Sequence, residues 1–295
     1  MAAVALFFLA APEDSLLTTE KLIAEGEFRK ALELLAAQPP SLRRHLLASK
    51  AHEGLNNPAE AVRDAEAALA LAPQSEAAHL QLGQIFLSHN TPEAALDVFS
   101  EALTALPDSL MLRLGKGLAL KDLARYPEAQ TELTACLGRQ PELAIAFDAL
   151  GTVYLHSKRF DELARAAGEF RKRRPDDYRG HYYSAAALDG LKRSPADMQA
   201  LLAESLRINP RFAAAHALLG KTRLQAGDAN GAIPPLETAL RLRPDYGPAA
   251  LHLAQAYQKV GRQRDAERAF QKVRELKEQE HTPAPSLLYH RGKRL

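Results

Sequence analysis

The sequence predicts an all-α fold, an α-solenoid of about eight helix-turn-helix repeats within 295 residues. Two observations carry that expectation. A helix-ending proline recurs at Pro73, Pro107, Pro141 and Pro175, each 34 residues after the last, then at Pro210 after 35 and at Pro244 after 34. In step with it, Ala61, Ala95, Ala129, Leu163, Met198, Ala232 and Ala266 mark the second helix of each unit. Gly83, Gly117, Gly151 and Gly220 mark the first, with Ser49, Ala185 and Ala254 standing in. A helix pair cannot bury its apolar face alone, so the pairs must stack into one continuous core. That overrides the two domains suggested by length.

Taken in order, Ala2–Ala11 is an apolar run outside the repeat. It is shorter than the ~20 residues that span a bilayer. It matches the hydrophobic region of a secretory signal but lacks the positively charged start. A signal remnant, implying an exported or periplasmic protein, stands against an N-terminal cap laying Leu6, Phe7, Phe8 and Leu9 on the first helix pair of a cytoplasmic one. The repeat array covers 12–280. Its first unit, 12–41, is cut short by Pro39-Pro40. Units 42–75, 76–109, 110–143 and 144–177 follow, and 178–212 carries one extra residue, placed in its Gly190–Pro195 turn. Units 213–246 and 247–280 complete the array.

The unit 76–109 is the clearest. Leu80, Leu82, Ile85 and Phe86 have helical spacing over Glu76–Ser88, and His89-Asn90-Thr91-Pro92 breaks the pattern. Thr91 reads as N-cap and Pro92 as the first residue of a second helix, which Pro107 stops. In the seventh unit Pro234-Pro235 falls inside the second helix, where a proline costs about 3 kcal/mol. That helix is therefore expected to start late, capped near Asn230, or to kink. In the eighth, Arg274–Glu280 extends the last helix as a polar cap. The tail 281–295 contains Pro283 and Pro285, ends basic, and reads as flexible or loosely docked.

The period of 34 with Leu82-Gly83, Phe86, Ala95, Phe99, Ala102 and Pro107, and again Leu150-Gly151, Tyr154 and Pro175, resembles the tetratricopeptide repeat family. The resemblance covers about nine-tenths of the chain by anchor positions. It implies a right-handed superhelix whose first helices line a concave groove through positions 2, 5, 9 and 12 of each repeat. Carried onto this chain, those positions are Leu80, Gln84 and Leu87; Met111, Leu114, Leu118 and Lys121; Ile145, Asp148, Thr152 and Leu155; and Arg179, Tyr182 and Asp189. The second repeat instead places Arg43, Lys50 and Glu53 there. The resemblance implies a non-catalytic scaffold that binds a partner's peptide or helix in the groove. A second reading makes the array the targeting or regulatory part of an enzyme or secretion complex whose active domain lies on another chain. The clamp by which some family members hold acidic chaperone C-termini does not match: Lys50 is followed by Gly54, Lys116 by Leu120, Lys221 by Gln225, and Arg125 of Lys121-x-x-x-Arg125 falls beyond the first helix.

No catalytic constellation emerges, and no cofactor is expected. Gly115-Lys116-Gly117 lacks phosphate-loop spacing and a preceding strand, and reads as helix-packing glycine. His45, His79, His181 and His216 share one repeat position. Helices 8–10 Å apart cannot bring their nitrogens to the ~2.0–2.1 Å that zinc requires, so they read as semi-buried aromatics. His52-Glu53 lacks the second histidine of a zincin motif. Arg171–Arg174 offsets the negative end of a helix dipole, and Asp176 and Asp177 dilute its field. A net charge of +2 supplies no bulk attraction to nucleic acid or membrane. The single cysteine, Cys136, occupies a packed small-residue position.

Overall fold

The computed structural model describes residues 12–280, so the apolar run 2–11 and the basic tail lie outside the described residues. Among the described residues every regular element is a helix. By internal contacts the chain divides after Glu132 into two units. The first holds α1 (Pro12–Ala24), α2 (Phe28–Ala36), α3 (Leu42–Gly54), α4 (Pro58–Leu71), α5 (Glu76–Ser88), α6 (Pro92–Ala105), α7 (Leu110–Asp122) and the start of α8 (Tyr126–Arg139). The second holds the rest of α8, α9 (Ala144–His156), α10 (Phe160–Arg173), α11 (Tyr178–Gly190), α12 (Pro195–Ile208), α13 (Ala213–Gln225), α14 (Ala229–Leu242), α15 (Gly247–Lys259) and α16 (Gln263–Glu280).

Within each unit the packing rule is the same. The first helices α3, α5, α9, α11, α13 and α15 each touch their own second helix, and successive first helices touch one another, α3 with α5, α5 with α7, α9 with α11, α11 with α13 and α13 with α15. The second helices α2, α4, α6, α10, α12 and α14 also lie against the first helix that follows them. The marker residues of the second helices, from Ala61 to Ala266, are all buried. In the first unit the ring of Phe99 fills the space beside Gly83 of α5 and Gly115 of α7; a Cβ on Gly115 would sit 2.6 Å from the ring. In the second unit Phe147 stacks on Phe170 with centroids 3.8 Å apart and meets Tyr183 edge-on at 5.4 Å. Gly151 makes room for the Tyr183 ring. Cys136 is buried.

The turns inside the repeats share one backbone device. Gly26, Asn56, Asn90, Ala124, Lys158, Lys192, Gly227 and Gly261 all have positive φ, between 54° and 86°. In each turn the next N–H reaches back to a carbonyl of the first helix, as Thr91 does to Phe86 at 2.8 Å and Arg193 to Leu188 at 2.9 Å. This left-handed closure satisfies the carbonyls that end a helix. The extra residue of the sixth repeat lies in the turn after α11, between Leu191 and Ser194.

The first helices α3, α5, α7 and α11 are capped by side chains. Ser41, Ser75 and Ser109 accept from the N–H groups of Arg44, Ala78 and Leu112 at 3.0–3.3 Å, and Asp177 accepts from Arg179 at 3.0 Å. Thr91 stands at the head of α6 but does not cap it. Its hydroxyl donates to the His89 carbonyl at 3.1 Å, and Pro92 begins the helix instead.

The expectation for the seventh repeat is corrected. α14 begins at Ala229, in step with the other second helices, is capped by Asp228 through Gly231 N–H at 2.8 Å, and runs through both prolines. Pro235 has no N–H for the Gly231 carbonyl four residues earlier. The Arg223 guanidinium of α13 donates to that carbonyl at 2.8 Å instead. The donor missing from the helix is supplied by its neighbour, so the helix need not break there.

Candidate peptide-binding surfaces

The residues carried over from the groove positions fall in both units, and each set stands on its own. In the first unit Met111 is 43 % exposed and Gln84 is exposed, while Leu80, Leu87, Leu118 and Lys121 are half-buried. Leu80 and Leu87 rest on the core around Ile85, Phe86 and Phe99. Lys121 is held at 2.6 Å by Asp122. Leu114 is a correction: it is 3 % exposed and belongs to the core. Its helix, α7, packs against both α5 and α6, so position 5 here is covered by the stack and has no open groove wall.

In the second unit Ile145 is 54 % exposed, and Asp148, Thr152, Leu155 and Tyr182 are half-buried. Their polar groups serve the joint between α9 and α11. The Tyr183 hydroxyl donates to the Asp148 backbone carbonyl at 2.8 Å and to its carboxylate at 3.0 Å, and lies 3.2 Å from the Thr152 hydroxyl. Arg179 approaches the Asp148 carboxylate at 3.9 Å. One repeat on, Lys221 of α13 meets Asp189 of α11 at 2.6 Å. Tyr182 packs edge-on against Tyr183 and Phe212. Burial raises the Tyr182 and Tyr183 phenols above the ordinary tyrosine range, and the Asp148 charge adds to it. A similar polar joint ties first helices in the first unit, where Glu53 of α3 accepts from the Ser88 hydroxyl at 2.7 Å and approaches His89 Nε2 at 3.2 Å.

The histidine series is structural. His79 donates to the Ser75 carbonyl at 2.9 Å, and His181 and His216 donate to the carbonyls of Pro175 and Pro210. His45 lies 2.9 Å from the Asp64 carboxylate. No cluster of three or more His, Cys, Asp or Glu among the described residues is arranged to hold a metal. The basic run at the end of α10 is distributed among carboxylates, with Lys172 on Glu169 at 2.7 Å and Arg174 near Asp177 at 3.7 Å.

A second kind of surface was not read from the sequence. In the first unit α4 and α6 both pack on α5 rather than on each other, leaving a cleft of about 380 Å³ between them. In the second unit α14, α15 and α16 leave a cleft of about 370 Å³. Its signal was available in the spacing: Leu69 of α4 and Val98 of α6 recur at Leu240 and Ala269 in the same repeat positions.

With helix pairs, turns and stacking established, the relatives can be placed. Tetratricopeptide-repeat family models match residues 46–109 and 223–284. The chain superposes on a tetratricopeptide repeat protein from Parabacteroides merdae with a TM-score of 0.67 at 15% identity, covering 83% of this chain and 98% of that one. The chain is a tetratricopeptide repeat protein. The fold also matches pilF of Pseudomonas aeruginosa, with a TM-score of 0.59 at 19% identity over 74% of this chain and 96% of that one. Sequence similarity reaches protein FlbA of Caulobacter vibrioides, 32% identical over 165 residues, or 54% of this chain. The tetratricopeptide repeat chain spans 27% of that relative's length. Proteins of this family are generally non-catalytic and engage other proteins. Among the described residues no helix is long and apolar enough to cross a membrane.

Proposed function

We propose that this protein is a non-catalytic scaffold that holds a peptide or helix of a partner protein along its first helices. The supporting observation is Met111, a large apolar side chain 43 % exposed at a groove position of α7. Half-buried Leu118 on the same helix and Leu80 and Leu87 on α5 stand at the other groove positions. In the second unit the exposed Ile145 and half-buried Leu155 repeat the arrangement on α9. In the second unit Asp148 and Thr152 are engaged by Tyr183 at the joint between α9 and α11, which leaves apolar contact as the main attraction. Burying one such side chain against a ligand contributes about 1.5–3 kcal/mol.

The test is photo-cross-linking from position 111 in the native cell, followed by identification of the adduct and titration of that partner with Met111→Asp. Binding should weaken at least tenfold, the lower end of the burial term, with an unchanged melt. An intact variant of undiminished affinity would move the site off α7. The second reading, a targeting part for an active domain on another chain, gains support from the similarity to a portion of the longer FlbA. An enzyme among the cross-linked partners, with activity that depends on Met111, would favour it.

A further inference from the structure

The two clefts between second helices are built alike and carry opposite charge. In the first unit the floor is Leu69, Leu82 and Val98, and the rim is Glu66, Asp97 and Glu101. Five repeats later Leu240, Leu253 and Ala269 take the floor positions, and Arg268 and Lys272 stand where Asp97 and Glu101 do. The acid beside that second rim, Asp265, is occupied by Arg262 at 2.7 Å and by Arg268. Asp97 and Glu101 are four residues apart on α6, as Arg268 and Lys272 are on α16. Like charges at that spacing oppose helix formation, and on α16 the ion pair of Arg268 with Asp265 offsets it. Glu66, Asp97, Glu101 and Arg268 are exposed, and Lys272 is half-buried.

We propose that the α4–α6 cleft is a docking site for a basic amphipathic segment of a partner protein. Two or more of the segment's apolar side chains would sit on Leu69, Leu82 and Val98, and its lysines or arginines would face Glu66, Asp97 and Glu101. The volume falls at the lower end of the roughly 300–1,000 Å³ usual for ligand sites, room for a few side chains and not for a whole helix. Charge of one sign over an apolar floor selects among amphipathic segments of the same shape, because the wrong sign is repelled. The equivalent cleft at α14–α16 would reject the same segment for that reason.

The test uses the full chain and two fluorescein-labelled synthetic helices. Both carry leucine at i, i+3, i+4 and i+7; one has lysine between and the other glutamate. The lysine peptide should bind, and Asp97→Arg/Glu101→Lys should weaken it at least tenfold while improving the glutamate peptide, with an unchanged melt. Glu162→Lys/Glu169→Lys makes the same charge change elsewhere and should leave at least half the affinity. Equal loss in the two variants would reduce the effect to net charge and overturn the proposal, as would unchanged binding in the first. Should that variant fail to fold, Asp97→Asn is expected to weaken the lysine peptide at least threefold, and no loss overturns the site. Self-association of the full chain abolished by Asp97→Asn would make the occupant a second copy and also overturn it. Met111→Asp should leave lysine-peptide binding intact, which separates this site from the first-helix groove.

Discussion

Leu114 sits at a position that several other repeats leave half open, yet it is 3 % exposed, so its substitution reports on the core. Leu114→Ala should cost about 2–5 kcal/mol in a chemical melt, as buried leucine truncations do. Leu114→Asp would bury a carboxylate that has no partner assigned to it and should leave the first unit unfolded at room temperature. A stable Leu114→Asp variant would return the residue to an open surface. Why this residue was misplaced is physical. Position within a repeat specifies a direction on the helix, but whether that direction meets solvent depends on how closely the next helix stacks. The equivalent Tyr182 is half-buried and Leu251 is 37 % exposed, on the same backbone. The turn residues carried a similar ambiguity. Gly26, Asn90 and Gly227 advertise positive φ by their type, whereas Ala124, Lys158 and Lys192 adopt it because the flanking helices require it.

At the scale of the element, α14 shows one helix completing another. Arg223 of α13 supplies the hydrogen bond that Pro235 cannot give to the Gly231 carbonyl. Arg223→Ala should therefore destabilise the second unit by about 1–3 kcal/mol, the cost of leaving a partly buried acceptor unmet. Pro235→Ala restores an N–H four residues after Gly231, so the same Arg223→Ala change should cost less in that background. A double-mutant cycle measures the difference, and an equal cost in both backgrounds would disconnect the arginine from the proline. Helix spans were legible because apolar spacing, glycine and proline agree over many repeats. The bridging arginine was not, because the sequence separation of Arg223 from Gly231 gives no hint of a side chain reaching across two helices. Serine caps at Ser41, Ser75 and Ser109 were readable in principle, since they recur at the repeat period.

Considered whole, the chain distributes its titratable aromatics unevenly between the two units. Tyr154, Tyr182, Tyr183, Tyr246 and Tyr257, all in the second, have phenols raised chiefly by burial, Tyr257 to about 12 with a further contribution from its hydrogen bond to Glu237 at 2.6 Å. A phenol whose folded value lies above its unfolded one, near 10, favours the folded state fully below pH 10. That contribution is lost as pH rises through the folded value, so the window for Tyr257 runs from about 10 to about 12. Raising the pH through that window should unfold the second unit, with tyrosinate absorbance appearing together with the loss of helix. Tyr257→Phe, which has no phenol to ionise, should shift the transition to higher pH. Tyrosinate absorbance that rises fully before any helix is lost would contradict the burial. The repeat architecture was legible at this scale because every anchor votes for the same period. The pairing of like-shaped clefts with opposite rims was not, since charge on exposed helix faces leaves no periodic trace.

The sixth-repeat turn is the place where this array tolerates a change of length. Its added residue follows the left-handed residue Lys192, and α12 still begins with proline at N1 and buries Met198 in the usual place. A seam that absorbs one residue without shifting the downstream phase is a natural graft point. Lengthening a flexible loop there costs only about 0.6 kcal/mol per doubling. A fluorescent reporter or an affinity handle spliced between Arg193 and Ser194 would therefore ride on the second unit without rewriting the helices on either side.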